Sequence, residues 1–577
     1  MRPVVERRRP PATVLDALDG IDSITARLYA SRGVTSMDEL DTGLAKLLPV
    51  SSLDNVDAAV ELLCEHRERR IVVVGDFDAD GATSAALMLR CLWAMRFADV
   101  SYLVPNRFDY GYGLSPEIVA VAAEREPSLI ITVDNGISSI AGVAAARAAG
   151  IDVLVTDHHL PGAEHPSANV IVNPNLGGCR FGSRNLAGVG VAFYVLAALG
   201  RALEEAGEEG AARIPAGYLD LVALGTVADV VPLDHNNRIL VDQGLRRIQS
   251  GRTVPGIRAL IEQSGRRLAD TVSGDLGFVV GPRINAAGRL EDISIGIECL
   301  LTDDAATAAR HAAELDRINR ERRDIEAGMR EQAFEYVERM RARNLPPCVC
   351  VFDKSWHQGI VGLVAARVRE RCHRPVIAFA RDREGLLKGS ARSIPGVHAR
   401  DLLEAVHADA PDLIQKFGGH AMAAGLSLEE VRYEEFRKAV SRALDKLYPG
   451  ADFSGSILSD GILPGDALTL RFARQLREAG PWGSGFPEPL WHGSFSVVEQ
   501  RIVGEDHLKM KVRPADGGPL LDAIAFNQAG PSWRGPVELA YRLDVNEYRG
   551  SATAQLVVEQ IRAADAMDYP NRERSPE

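Results

Sequence analysis

The chain has 577 residues, of which 46% are hydrophobic and 25% are charged, and its formal net charge is -13. This length is sufficient for several domains, and the composition is that of a folded protein, which excludes a largely disordered chain. The negative charge argues against a uniformly basic nucleic-acid-binding protein, although it permits a local basic groove.

The seven cysteines are scattered and contain no CxxC pair. This pattern argues against a zinc site or a disulfide framework and fits a reducing compartment. No apolar run is long enough to cross a membrane, and the basic start MRPVVERRRPP lacks the apolar core of a signal peptide. We therefore expect a cytoplasmic protein.

Residues 1–55 are predicted to form a partly ordered lead-in, and helical periodicity covers 56–69. From 70 to about 173 strand-like and helix-like segments alternate, which predicts an α/β domain with a doubly wound parallel sheet. Its predicted strands cover 71–75, 99–104, 129–133, 151–155 and 169–172, and its predicted helices cover 83–96, 115–125 and 138–148.

The stretch IVVVGDFDADG, residues 71–81, places Asp76, Asp78 and Asp80 directly after a buried strand. Clustered carboxylates repel one another unless a cation neutralises them, and a hard divalent metal suits their oxygens. An EF-hand loop also begins D-x-D-x-D-G, but its twelfth position would be Leu87, which cannot bind metal. A solvated acidic turn remains an alternative.

Two further strands end in polar groups. Asp134 follows strand 129–133, and Thr156-Asp157-His158-His159 follows strand 151–155. Ligands of doubly wound folds gather beyond the carboxyl ends of the strands, so these acids and histidines are expected on one rim with the first cluster. Adjacent histidines alone are weak evidence, whereas three such strand ends in succession predict a site.

Two later stretches are candidates with open alternatives. The apolar and helix-like segment 216–234 carries Asp229, which needs a partner if it is buried, either a metal or a helix cap or salt bridge. The segment GPRINAAGRLED, residues 281–292, carries Arg283, Asn285 and Arg289 among small residues. Guanidinium groups suit phosphate recognition, although a turn with surface arginines is an equal alternative.

Residues 304–344 show helical spacing of apolar positions with charged faces, which predicts one long helix of roughly 60 Å that connects two domains. A second α/β unit follows, with strands at 347–352 and 375–380. Within it, His357 precedes a helix start, and Ser390, Arg392, Gly418, Gly419 and His420 lie in glycine-containing stretches. These stretches predict a phosphate cradle, unless the glycines only mark turns.

Beyond 451 the pattern changes to short strands, with one helix near 466–478. The strands are predicted at 492–503, 507–513, 519–526, 536–545 and 552–561. They favour a small β-barrel of the oligonucleotide-binding (OB) type, with Lys509, Lys511 and Arg513 alternating along one strand face. The polar tail is expected to be loose.

The motifs GDFDADG, TVDNG, TDHH, ALGTVADVVPL and GPRINAAGRL resemble, in this order, those of the DHH phosphoesterases, specifically the bacterial RecJ single-strand exonucleases. WHQGIVG, GSARS and FGGHAMAAG are similar to the second conserved domain of that family, called DHHA1. The resemblance runs from about 50 to 565. It implies the domain bounds 56–300 (DHH), 301–345 (connector helix), 346–450 (DHHA1) and 451–565 (OB-like), between the lead-in and a tail at 566–577.

The resemblance also implies roles for individual residues. Metal ligands of the family match Asp78, Asp80, Asp134, His158 and Asp229. Asp76 and His159 match further active-site positions, so that Asp76, Asp134 and His159 are the expected catalytic residues. Positions that hold DNA phosphates match Arg283, Asn285, Arg289, His357, Ser390, Arg392, Gly418, Gly419 and His420. Trp482 and Phe486, in GPWGSGFPEP, receive no function.

A pair of Mn²⁺ or Mg²⁺ ions is expected, bridged by Asp134 or Asp78, and the histidine favours Mn²⁺. The resemblance implies a 5′-to-3′ exonuclease on single-stranded DNA that releases 5′-mononucleotides in repair and recombination. It also implies a single-strand-binding protein and a RecQ-type helicase as partners. The alternatives are a phosphohydrolase of short oligonucleotides, cyclic dinucleotides or pyrophosphate, and a non-catalytic scaffold, which the intact set of acids and histidines disfavours.

Overall fold

The fold is described from a computed structural model that covers residues 4–104, 113–342, 344–383, 385–451, 453–504, 506–530, 532–548 and 550–564. The predicted tail at 566–577 lies outside these residues. The chain forms two compact units. The larger unit comprises Val5–Pro282, Gly296–Ala309 and the chain from Ser456 onward, and the smaller comprises Arg283–Ile295 and Arg310–Gly455.

The larger unit begins with a short strand, β1 (Val4–Arg7), and two helices, α1 (Ala12–Leu15) and α2 (Ser23–Ala30). Asp22 caps α2 by accepting hydrogen bonds from Ile24 N and Thr25 N. Leu28 is only 2% exposed and packs in the core of the C-terminal barrel. This part of the lead-in is therefore held by tertiary packing.

A five-stranded parallel sheet lies at the centre of the larger unit and confirms the predicted doubly wound domain. Its strands are β2 (Arg70–Val74), β3 (Asp99–Leu103), β4 (Leu129–Val133), β5 (Asp152–Thr156) and β6 (Val170–Val172). The spatial order is β3-β2-β4-β5-β6. Every residue of β4 is buried, because helices cover both faces of the sheet. The order reverses between β2 and β4, where such folds place their ligands.

Helices accompany this sheet in the larger unit. They are α3 (Val56–Glu65), α4 (Ala79–Ala94), α5 (Pro116–Ala123), α6 (Ile140–Ala148), α7 (Gly188–Glu205), α8 (Leu219–Ala228), α9 (His235–Gln249), α10 (Pro255–Gln263) and α11 (Ser273–Asp275). Helix α12 (Gly281–Leu290) belongs mainly to the smaller unit and α13 (Ser294–Leu301) mainly to the larger. The predicted helical stretch 216–234 is in fact interrupted. Helix α8 ends at Ala228, because Val230 adopts a left-handed φ of 64°.

The predicted long helix is α14 (Ala305–Arg341), which has 37 residues and measures about 55 Å at about 1.5 Å per residue. Its charged faces carry ion pairs, such as Arg317 with Glu314 and Glu321. One apolar stripe is buried, and Met329, Ala333 and Val337 pack in a core of the smaller unit. The helix is thus packed along part of its length.

The smaller unit contains a mixed sheet of order β10-β11-β9-β8-β7, in which only β7 and β8 are parallel. Its strands are β7 (Val349–Phe352), β8 (Val376–Arg381), β9 (Leu386–Arg392), β10 (Lys416–Gly419) and β11 (Ala423–Glu429). Its helices are α15 (Val361–Cys372), α16 (Ala399–Asp409) and α17 (Tyr433–Leu447). The predicted α/β class is confirmed, and the glycine-containing stretches around Ser390 and Arg392 form strands.

The C-terminal part of the larger unit is a closed five-stranded barrel of order β13-β14-β15-β17-β16, as predicted. Strand β12 (Ser456–Ser459) and helix α18 (Leu470–Glu478) precede the barrel strands β13 (Trp491–Val503), β14 (His507–Pro514), β15 (Leu521–Ala525), β16 (Pro536–Tyr548) and β17 (Ser551–Ala563). Along β14 the side chains of Leu508, Met510 and Val512 are buried. The alternate positions, Lys509, Lys511 and Arg513, face outward. Among the described residues no helix has both the length and the apolar character that a bilayer span requires.

Candidate metal centre and phosphate-binding residues

The acids and histidines predicted from three strand ends meet in the larger unit. Strands β2, β4 and β5 are neighbours with parallel pairing, so their carboxyl ends lie side by side. The loop after β2 carries Asp76 and Asp78, and Asp80 lies in the first turn of α4. Asp134 follows β4, and His158 and His159 follow β5. Except for Asp78 and the half-buried histidines, these side chains are almost fully buried.

One group of ligand atoms surrounds the imidazole of His158. Its Nε2 atom lies 3.1 Å from Asp134 Oδ1, 3.5 Å from Asp229 Oδ2 and 4.0 Å from Asp80 Oδ2. Asp229 is contributed by the carboxyl end of α8, where it forms the C-cap. The structure therefore brings this acid to the rim of the sheet although it is distant in sequence.

Two further groups share Asp134. Asp76, Asp78 and Asp134 each offer an oxygen, and these atoms lie within 4.8 Å of one another. Asp134, His158 and His159 satisfy the same condition. Asp134 belongs to both sets, so it could contribute to holding a cation with either. Carboxylate oxygens with one or two imidazoles form a donor set that suits Mn²⁺ and Mg²⁺.

The electrostatics of the cluster also fit a cation. Burial, together with the charges of Asp229 and Asp78, raises the pKa of Asp80 well above its ordinary value. Burial and the neighbouring acids act in the same way on the pKa of Asp134. Burial, and then the charge of Asp78, raises the pKa of Asp229 to about 7. Bound divalent charge would reverse these effects and stabilise the ionised carboxylates.

Helix N-termini fix two of the carboxylates. Asp80 accepts hydrogen bonds from Gly188 N at 2.6 Å and Val189 N at 3.0 Å, in the first turn of α7. Asp78 caps α4 by accepting bonds from Asp80 N and Gly81 N, both at 3.0 Å. Backbone donors at a helix start stabilise negative charge, so the fold pre-orients these oxygens.

The close approach of backbone to the acids requires glycine at two positions. A Cβ at Gly188 would lie 2.5 Å from Asp134 Cβ, and one at Gly81 would lie 2.6 Å from the backbone of Asp76. Asp134 itself has a left-handed φ of 62°, a conformation that Asp and Asn tolerate better than other residues with a side chain. Such strained residues are frequent at functional sites.

Sequence reasoning gave no role to Asp157, and the structure supplies one. Its Oδ1 lies 2.8 Å from His159 Nδ1 and accepts bonds from the His158 and His159 amides, while Oδ2 accepts from Ile137 N. Burial lowers the pKa of His159, but the hydrogen bond to Asp157 and the charges of Asp157, Asp229 and Asp76 together outweigh burial and raise that pKa to about 9. Because Asp157 contacts the Nδ1 atom of His159, Nε2 is the nitrogen of this imidazole that could contact a ligand. Its position directly after β5 was the available signal.

In the smaller unit, Ser390 and Arg392 meet at the start of α15. Arg392 Nη1 donates to Ser390 Oγ at 2.9 Å, and a Cβ at Gly362 would lie 2.7 Å from Arg392 Nη2. Burial, followed by the charge of Arg369, lowers the pKa of Arg392. Within the described part of the chain Arg392 forms no ion pair, so an anion beside it would be stabilising.

Arg289 and His357 lie at the same helix start. Arg289 Nη1 donates to Gly359 O at 3.2 Å, and Gly359 N donates to His357 Nδ1 at 3.2 Å. Asn285 is four residues before Arg289 on α12 and therefore shares its face. Arg283 points elsewhere and pairs with Asp316 at 2.8 Å. This ion pair already neutralises the Arg283 guanidinium.

The remaining predicted residues form the turn between β10 and β11. His420 N donates to Ala423 O at 2.8 Å, and Gly419 has a φ of 138°. Nothing lies within 4 Å of a Cβ built at Gly418, so this glycine borders open space. Ala423 pairs with Arg392 across the sheet. The exposed His420 turn thus lies at the Arg392 end of β9.

Three regions of the chain match known domain families: the DHH family N-terminal domain over residues 70–226, the DHHA1 domain over 345–446 and the RecJ OB domain over 459–560. The single-stranded-DNA-specific exonuclease RecJ of Dickeya dadantii is 52% identical over 573 residues, which cover 97% of this chain and 100% of that protein.

Two crystal structures of RecJ from Thermus thermophilus resemble this fold. The complex with Mn²⁺ has a TM-score of 0.81 and 32% identity, and covers 98% of this chain and 80% of that one. The complex with Mg²⁺ has a TM-score of 0.75 and 30% identity, and covers 98% of this chain and 79% of that one. With 52% identity to the Dickeya dadantii exonuclease over nearly the full length of both chains, the protein belongs to the RecJ family.

Proposed function

We propose that this chain is a divalent-metal-dependent exonuclease that degrades single-stranded DNA from the 5′ end and releases 5′-mononucleotides. The observation that carries this proposal is the convergence of three acids on the Nε2 atom of His158, at 3.1, 3.5 and 4.0 Å. The relatives that match the chain over its full length are single-stranded-DNA-specific exonucleases.

In this proposal one cation would be held by Asp80, Asp134, His158 and Asp229. A second would be held by Asp76, Asp78 and Asp134. When bound, the pair supplies activation of water and neutralisation of charge on the phosphodiester oxygens. The imidazole favours Mn²⁺ over Mg²⁺ in the first position.

The other side chains at the centre position the scissile phosphate and handle protons. His159 is held by Asp157, and without a bound cation its pKa of about 9 favours the protonated imidazole. A protonated imidazole donates a charge-assisted hydrogen bond to a phosphate oxygen and stabilises the charge that develops there. We therefore assign His159 to the scissile phosphate and Asp157 to its orientation.

We assign the phosphates of the DNA strand to the smaller unit. Arg392 is the strongest candidate, because its buried guanidinium has no acidic partner among the residues described. Arg289, Asn285, His357, Ser390 and the turn Gly418-Gly419-His420 complete this surface. Arg283 is a weaker candidate because Asp316 already neutralises it. On the barrel, Lys509, Lys511 and Arg513 would follow the strand by phosphate contacts.

The biological setting is part of the same proposal. Repair and recombination, with a single-strand-binding protein and a RecQ-type helicase as partners, follow from the family resemblance. All seven cysteines are unpaired and six are buried, which fits a reducing compartment such as the cytoplasm.

The test uses long single-stranded DNA labelled at either the 5′ or the 3′ end, with Mn²⁺, Mg²⁺ or chelator, and duplex DNA as a control substrate. The variant is Asp134→Asn, because Asn tolerates the left-handed backbone at this position. The matched control is Asp220→Asn, a buried acid of α8 that accepts from Thr253 Oγ1 and Val254 N away from the cluster.

We expect rapid release of mononucleotide from the 5′ label on single strands, abolished by chelator and by Asp134→Asn and retained in Asp220→Asn. Release from the 3′ label first would refute the polarity. Metal-dependent hydrolysis of dinucleotides or pyrophosphate without degradation of long strands would replace the proposal by a small-substrate phosphohydrolase.

A further inference from the structure

The segment 480–487 has no part in the function described so far, although it carries two large aromatic side chains among glycines. Trp482 and Phe486 stack on each other, with ring centroids 5.2 Å apart and an interplanar angle of 14°. The indole N–H of Trp482 donates to Leu476 O of α18 at 2.8 Å. We call residues 480–487 the aromatic loop; it is anchored to the barrel end of the larger unit.

A second set of contacts holds the aromatic loop against the N-terminal helix α2. Tyr29 stacks on Trp482 and Phe486, with centroids 6.3 and 6.2 Å apart. The guanidinium of Arg32 lies 5.2 Å from the Trp482 ring and is itself paired with Asp460 at 2.9 Å. These contacts fix the position of the loop from one side.

The opposite side of the aromatic loop touches residues 232–238, which lead into α9. Leu233 N donates to Ser484 O at 2.7 Å. A Cβ at Gly483 would lie 2.6 Å from Leu233 Cδ1, and one at Gly485 would lie 3.0 Å from Pro232 Cβ. The glycines therefore permit a close approach, and alanine at position 483 would force the Leu233 side chain to move.

Only Val230 and Val231 separate this held segment, residues 232–238, from Asp229. Val230 has a left-handed φ of 64° and is 67% exposed, which is unusual for a β-branched residue. A strained backbone of this kind persists only when surrounding contacts hold it. It follows the Asp229 C-cap of α8 and directs the chain into residues 232–238, which the aromatic loop contacts.

We propose that the aromatic loop is the positioning element for Asp229. By fixing Pro232 and Leu233 it maintains the reversal at Val230, and thereby the 3.5 Å approach of the Asp229 carboxylate to His158 Nε2. Contacts at the barrel end of the larger unit therefore influence how tightly the metal centre binds Mn²⁺. This inference rests on the proposed function, because it assumes that Asp229 binds a cation.

The experiment measures Mn²⁺ binding to the full-length protein by calorimetric titration, with thermal unfolding as a check of the fold. In Gly483→Ala the new methyl displaces Leu233, and we expect Mn²⁺ affinity to fall about 10–100-fold, as for other changes in residues that orient a metal ligand. The control is Gly493→Ala in β13, where a Cβ meets only Phe495 Cε2 at 3.5 Å. This control should bind Mn²⁺ as the wild type does.

A rescue separates positioning from general destabilisation. Leu233→Ala removes the atom that clashes, so the double variant Gly483→Ala with Leu233→Ala should bind Mn²⁺ as Leu233→Ala alone does. Such non-additivity is expected only if the two residues act through their contact. If Gly483→Ala does not fold, Leu233→Ala, which removes the side chain that Gly483 packs against, takes its place in the titration.

Unchanged Mn²⁺ affinity in a folded Gly483→Ala, or additive losses in the double variant, would overturn the inference while leaving the metal centre intact. Failure of both Gly483→Ala and Leu233→Ala to fold would also overturn it, because the loop contact would then serve the stability of the core in general. Absence of Mn²⁺ binding by the wild-type protein would instead refute the proposed function.

Discussion

Replacing Asp229 by Asn should make the metal-free protein more stable and the metal-loaded protein less active. The folded structure raises the pKa of Asp229 from 3.8 to about 7, chiefly by burial and by the charge of Asp78. Folding therefore favours the protonated acid. The metal-free wild type should lose stability as the pH rises from about 4 through 7, and the loss should be complete above that range.

The magnitude follows from the size of the pKa change. A rise from 3.8 to about 7 corresponds to about 4 kcal/mol, at about 1.4 kcal/mol for each pKa unit. The Asp229 side chain is 21% exposed and interacts with several other acids, so we expect about half of this, roughly 2 kcal/mol, to be recovered by the neutral amide. That gain corresponds to an increase in Tm of roughly 2 °C, since the entropy of unfolding grows with chain length.

The assay is thermal unfolding between pH 5 and 8.5, with chelator or with Mn²⁺. In chelator at pH 8 the variant should melt above the wild type, and the difference should narrow as the pH is lowered to 5. Mn²⁺ should raise the Tm of the wild type far more than that of the variant. Asp220→Asn, on the same helix, should keep the full response to Mn²⁺. Equal responses to Mn²⁺ in Asp229→Asn and the wild type would refute the reasoning.

Three further predictions concern activity and binding. Asp157→Asn should lower the pKa of His159 from about 9 and reduce the rate about 10–100-fold, visible as a shifted pH–rate profile; an unchanged profile would exclude the assigned role. Arg392→Lys should raise KM for single-stranded DNA about tenfold without changing Mn²⁺ affinity, because the planar fork is lost; equal KM values would remove Arg392 from the phosphate surface. The double variant Lys509→Gln with Lys511→Gln should make DNA binding less sensitive to salt. The slope of log K against log salt concentration should fall in magnitude by about 1.4, at about 0.7 for each of two lost phosphate contacts. An unchanged slope would contradict DNA binding by the barrel.

Much of the candidate metal centre was predictable because most of its acids and histidines follow strands. A buried strand such as β4 is recognisable from its uninterrupted apolar residues, and the next polar residue, Asp134, then marks the rim of the sheet. Parallel pairing of β2, β4 and β5 turns three separate positions in the sequence into one cluster. The connectivity rules of α/β folds supply this step without any alignment.

Residues that depend on tertiary contacts were less accessible. The sequence places Arg283 and Arg392 in similar glycine-containing stretches, yet the fold pairs one with Asp316 and leaves the other without an acid among the described residues. Asp229 was expected within a helix, but it lies at the end of one. The left-handed backbone of Val230 leaves no sign in local composition, since valine normally disfavours that conformation.

The close contacts that two glycines make beside the acid cluster could not be predicted from local sequence. Gly225 lies inside α8, where glycine is unfavourable by roughly 0.5–1 kcal/mol relative to alanine, and Gly188 is the first residue of α7. A Cβ at Gly225 would lie 2.2 Å from Thr83 Oγ1 and 2.9 Å from Asp80 Oδ1, and one at Gly188 would collide with Asp134. Helix α8 accepts this loss of stability, and the two glycines let α7 and α8 approach the acids closely. The same proximity places buried charges together and raises their pKa values, so tight packing and the electrostatics that fit a cation have one structural origin.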